Sequence, residues 1–209
     1  MTLKRCRTFL ATIYAIYALG FIVSSIIFFH GRPFDPTAAL LSDLASASSN
    51  LHGYLALTLA TLIAAFLLIP VAAIFHRNLP SSPLSTVATA CFGIGIVATI
   101  ILAISSPRSS TDSTLHVQLA FASFTGIILG TMLYLIAARG SRLLIGVQIV
   151  ILLFLVWEYF GPDLLTGTHF FNSLAFCEWC LWIECAIATW MLAGTLARHQ
   201  YRGDNWSAL

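Results

Sequence analysis

Six long apolar runs constrain this chain more than any other feature. They cover residues 9–29, 51–75, 85–104, 115–138, 143–160 and 171–197. At 1.5 Å of rise per residue, helices of these lengths measure about 27–40 Å, against a bilayer hydrocarbon core of about 30 Å. In lipid a backbone N–H or C=O has no water to bond, so the runs must be helices. Charged residues make up 9% of the chain, where soluble domains carry roughly 25%. The expected fold is all-α: one polytopic membrane domain over residues 1–209, a six-transmembrane-helix bundle. Lys4, Arg5 and Arg7 precede the first run as a basic region would precede a signal sequence. That run is longer than the roughly 7–15 residues of a signal core, so it reads as an uncleaved first span. Pro70 is expected to kink the second helix or end it near Ile69.

Lys and Arg are unevenly shared between the two sides. Eight of the ten lie on the side of the two termini and the second and fourth loops; Arg32 and Arg108 lie on the other. Positive loops stay inside, so both termini are expected in the cytoplasm, with the protein integral to the cell membrane. The net charge is only +2 and no basic stripe is present, which excludes a nucleic-acid partner. The five cysteines lie in spans or on the N-terminal tail, so no disulfide framework is expected.

The first outer loop is the long one. Asp35-Pro36 reads as a helix N-cap followed by proline at the first helical position, and Leu40, Leu41 and Leu44 recur at helical spacing. A short interfacial helix is expected over 36–47, with its leucines toward lipid or the bundle. Polar residues gather on this outer side. Ser42 and Asp43 lie in the loop, His52 and His116 at the outer ends of the second and fourth spans, Glu158 near the outer end of the fifth, and Asn172 opens the sixth. Glu178 lies deeper, about 10 Å below Phe171. A charged side chain at mid-bilayer costs about 2.5–3.5 kcal/mol on insertion scales, so an intramembrane carboxylate points to function. Glu178 is expected to be neutral or hydrogen-bonded, facing the interior near His52, His116 or Glu158. Glu184 lies on a different helical face from Glu178, so the two are not an acid–base pair. Cys177 and Cys180 form a CxxC, read as packing residues because no second cysteine pair exists to relay electrons. Ala122, Gly126 and Gly130 form a small-residue ridge that marks close helix packing, and Gly93 and Gly95 read the same way.

Together, the six spans, the Leu41-Ser42-Asp43-Leu44 stretch, His116 after a short polar loop, and Cys177-Glu178-Trp179 resemble one group. It is the DRAM, Frag and Sfk family with its prokaryotic six-span relatives. The Glu-Trp pair is the best match; after the Ser-Asp pair the family typically has Gly, where this chain has Leu44. The resemblance implies lipid handling, since eukaryotic members are linked to lipid remodelling and distribution. The leading expectation is a non-enzymatic, cofactor-free membrane protein that binds or organises lipid at its outer leaflet. Its candidate site is Ser42, Asp43, His52, His116, Glu158, Asn172 and Glu178, with membrane lipids as partners. One alternative is a metal-dependent intramembrane lipid hydrolase or transferase using His52, His116 and His169. A further alternative is a small proton-coupled transporter using Glu178 and Glu184.

Overall fold

The apolar runs fold as helices because a helix bonds nearly all of its own backbone, as an apolar setting requires. A computed structural model describes residues 3–30, 41–79, 81–105, 114–160 and 174–202. The order is α1 (Leu3–Phe28), α2 (Leu41–Leu44), α3 (Tyr54–Arg77), α4 (Pro83–Ser105), α5 (Thr114–Ala137), α6 (Arg142–Phe160) and α7 (Leu174–Arg202), with no strand among the described residues. Helices α1, α3, α4, α5 and α7 are each long and apolar enough to cross a bilayer. Helix α6, at 19 residues, measures about 28 Å and is the sixth. The chain is an all-α, multi-pass membrane protein.

Outward faces agree with that reading. Phe66, Ile94, Val150, Leu153 and Ile187 are all exposed. A water-soluble surface rarely carries so continuous an apolar sheath, whereas lipid solvates it freely.

Side-chain pairings set the direction of each helix. Gly20 of α1 meets Ala56 and Ala60 of α3, and Ser24 further along α1 meets Asn50 just before α3. Phe75 and His76 near the end of α3 meet Phe92 and Thr89 of α4. On α4 and α5, Thr99 pairs with Ser123, Gly95 with Gly126, and Thr89 with Tyr134. On α1 and α7, Tyr17 stacks on Trp182, Tyr14 bonds Thr189, and Arg7 lies over Trp190. In every pair one number rises as the other falls, so the neighbours are antiparallel. The start of α1 and the end of α7 therefore share one end of the bundle. We call it the near end; it also holds the α3–α4 and α5–α6 connections. The described residues of the 29–53 loop and the start of α5 lie at the opposite, far end.

The core runs through the middle of the bundle. Phe75, Phe92 and Tyr134 form a fully buried aromatic triad joining α3, α4 and α5, with centroids 5.7–6.2 Å apart. Between α4 and α5 the backbones touch. A Cβ on Gly126 would lie 2.6 Å from Gly95 N, and one on Gly130 would lie 2.6 Å from Phe92 N. The expected small-residue ridge is thus the α4–α5 contact. Gly93 is different: a Cβ there would meet nothing within 4 Å. It sits two residues from Gly95, on another face of the helix.

Two expectations about backbone are corrected. Of the two outcomes expected at Pro70, a kink or an end near Ile69, the end is overturned: α3 runs on through Pro70 to Arg77. Proline removes one N–H bond from the ladder, a loss that membrane helices tolerate where local adjustment or a neighbouring group re-satisfies the freed carbonyl. The first-loop helix stops at Leu44 rather than residue 47; its expected start, 36–40, lies outside the described residues. The stop has a cause. The Asp43 carbonyl closes a turn with Ser46 N–H. The Leu44 carbonyl accepts Ser24 Oγ and Asn50 Nδ2, and the Ala45 carbonyl accepts Thr58 Oγ1. Tertiary bonds replace the acceptors' next helical partners. Leu44 is fully buried, so this leucine faces the bundle and not lipid.

Candidate functional site

The far end is built around a polar knot of uncharged side chains, none of them among the ionisable residues that stand out in the sequence. Asn50 is 4% exposed. Its Nδ2 donates to Ser24 Oγ at 2.8 Å and to the Leu44 carbonyl at 3.0 Å, while its Oδ1 accepts the Gly53 N–H at 3.1 Å. The last bond caps the turn that leads into α3. Ser24 Oγ also donates to the Leu44 carbonyl, at 2.8 Å. One asparagine and one serine thus lock α2 onto the ends of α1 and α3. Gly53 leaves room for this: a Cβ there would lie 2.7 Å from the Asn50 amide. Beside the knot Ser25 is buried, and its hydroxyl has no hydrogen-bond partner among the described residues.

Locking α2 places Asp43. Its carboxylate accepts a weak bond from Ser49 Oγ at 3.4 Å and interacts electrostatically with the imidazole of His116. His116 stands in the first turn of α5 and is 4% exposed. Two candidate residues, 73 positions apart in the sequence, are therefore within reach of one another's charge. A half-buried carboxylate within charge reach of a buried imidazole, both near the far end of the bundle, brings together a hydrogen-bond acceptor and a group that can donate or accept.

The other candidates separate from this pair or fall outside view. His52 is exposed in the turn before α3. Ser42 lies on α2, Glu158 on α6 and Glu178 on α7, but their side chains are outside the described part, as are Asn172 and His169 altogether. The expected pairing of Glu178 with His52, His116 or Glu158 therefore also lies outside the described part. Among the described residues no three His, Cys, Asp or Glu side chains are grouped to hold a metal ion.

Elsewhere Glu184 receives a bond from Gln148 Nε2 of α6. Gln148 is almost wholly buried and was not singled out from the sequence. The signal was there: like Ser24, it is an uncharged polar residue inside an apolar run. Cys6, Cys91, Cys180 and Cys185 are free thiols. Cys180 is exposed, so its expected role in helix packing does not hold within the chain; it shares the outward face that lipid covers. No protein-family model, curated protein or solved structure matches the chain.

Proposed function

We propose that the far end of the bundle binds the headgroup of a membrane lipid and that the protein organises lipid in that leaflet. The observation that carries this reading is Asp43, held by α2 within charge reach of the buried His116. A carboxylate and an imidazole next to an apolar helix sheath suit an amphiphile whose headgroup donates hydrogen bonds, through an amine or hydroxyls. Ser42, His52, Glu158, Asn172 and Glu178 remain the further candidates for this site, on the sequence alone. The likeness to the six-span DRAM, Frag and Sfk group, with its links to lipid handling, supports the same direction. A charge-assisted hydrogen bond is worth about 1.5–3 kcal/mol, so Asp43→Asn should weaken lipid retention by about 10- to 100-fold. Mass spectrometry of lipids co-purified with wild type, Asp43→Asn and a control exposed at the near end, Ser141→Ala, reads this directly. An unchanged lipid complement in Asp43→Asn removes the reading.

The same proposal sets the far end on the outer leaflet, both termini in the cytoplasm and the protein in the cell membrane. The near end supports it, carrying Arg5, Arg7, Arg77, Arg139, Arg142 and Arg198. Cys6 is fully buried and cannot report on sidedness. Ser48 and Ser141 are exposed at opposite ends. In a chain whose five native cysteines are replaced by alanine, a membrane-impermeant thiol reagent applied to intact cells should label Ser48→Cys and spare Ser141→Cys. The reverse pattern puts the candidate site on the cytoplasmic leaflet.

A further inference from the structure

The middle of the bundle holds a second polar group, distinct from the far-end residues. Gln148 stands six residues into α6 from the near end, and Glu184 ten residues into α7 from the far end. These are depths of about 9 Å and 15 Å from opposite ends. Gln148, 1% exposed, donates from Nε2 to Glu184 Oε1. That single bond uses half of each group. Gln148 Oε1 and Glu184 Oε2 are both buried, and neither has a hydrogen-bond partner among the described residues.

Two leftover acceptors on two groups already joined are hard to reconcile with an ionised carboxylate, which can only accept. A protonated carboxyl has one donor and keeps acceptor capacity, and a primary carboxamide offers the matching acceptor and donor. We infer that Glu184 and Gln148 form a proton-binding site, with the proton on Glu184 Oε2 donated to Gln148 Oε1 so that acid and amide close a two-bond ring.

The surroundings favour a neutral pair. From α1, Tyr14 is the titratable group that faces Glu184; its hydroxyl is engaged with Thr189 Oγ1 at 2.5 Å. Arg7 of the same helix is held over Trp190, 4.7 Å from the ring centroid. On α7 itself the neighbour is the buried thiol of Cys185. Arg142 of α6 is exposed. The titratable residues of α5 are His116 and Tyr134, engaged with Asp43 and Thr89. Asp43 is the one titratable residue of α2.

The chain has three glutamates, Glu158, Glu178 and Glu184, which makes an isolated reading possible. The Glu158→Gln/Glu178→Gln double variant, made by cell-free synthesis with 5-13C-glutamate and with glutamine synthetase inhibited, then reconstituted in phosphatidylcholine vesicles, leaves Glu184 as the only labelled side chain. Infrared spectra near neutral pH should show a label-sensitive carbonyl band of a protonated carboxylic acid. Adding Gln148→Leu should move that band to higher frequency, because its acceptor is gone. Should the double variant not accumulate, the difference spectrum of unlabelled wild type against Glu184→Gln reads the same band. Carboxylate bands in its place overturn the inference. So does a protonated band that sodium chloride converts to carboxylate, which would mark a metal-cation site, or a band that Gln148→Leu leaves unmoved.

Discussion

Replacing Gly126 with leucine is expected to force α4 and α5 apart and to cause the largest loss of stability of any single change at this interface. A Cβ at position 126 would meet Gly95 N at 2.6 Å, Gly95 Cα at 2.7 Å and the Cys91 carbonyl oxygen at 2.9 Å. All three are backbone atoms, so no rotamer change relieves the clash. Small residues are the means by which membrane helices gain close van der Waals contact, since lipid leaves little hydrophobic drive between them. The separation would also strain the bonds that bridge the same pair, Thr99 to Ser123 and Tyr134 to Thr89. Overpacking of a well-filled interior costs about 1–3 kcal/mol and occasionally more; with three backbone atoms in the way, a loss of about 3 kcal/mol or more is expected. Gly93→Leu is the matched control, because its Cβ enters open space; it should change stability by no more than about 0.5 kcal/mol. Unfolding of the detergent-solubilised variants, followed by tryptophan fluorescence, measures both. Equal losses at positions 93 and 126 would contradict this packing.

The second large effect is expected at Asn50, where the sign of one atom matters more than its size. Asn50→Asp keeps the shape and the Oδ1 that caps Gly53 N–H. It turns the Nδ2 donor into an acceptor facing the Leu44 carbonyl and Ser24. Two like dipoles then meet in a buried place, and unpaired buried polar atoms cost about 1–3 kcal/mol each. Asn50→Ala loses the cap, worth about 1 kcal/mol, and leaves fewer opposed acceptors. The expected order of stability is therefore wild type, then Ala, then Asp. Both changes release α2 from α1 and α3, so Asp43 should lose its fixed relation to His116. Amide hydrogen exchange across residues 43–46 should rise in both variants, and lipid retention should fall with it. If Asp is tolerated better than Ala, the Leu44 carbonyl is not the partner that holds this loop.

The helices, their alternation across the bilayer and the uneven charge of the two ends were legible in the amino-acid order alone. These are local matters. A run of some twenty apolar residues must bond its own backbone to enter lipid, and the next run must return. The ridge at Ala122, Gly126 and Gly130 was legible for a similar reason, because small residues at a four-residue spacing line one face whatever the partner. Which faces turn inward was not local. In a water-soluble helix an apolar stripe marks the buried side, but here lipid and core are both apolar, and the outward residues Ile94 and Val97 look no different from the inward Ile96 and Ala98. Only the tertiary structure separated Gly95 from Gly93. It alone joined Asn50 to Ser24, 26 residues away, and Gln148 to Glu184, 36 residues away. It also stopped the first-loop helix at Leu44 by supplying that carbonyl with donors from two other segments. A polar side chain in an apolar run announces that it needs a partner, but the rotation and tilt of neighbouring helices choose which one, and those are set by packing along their whole length.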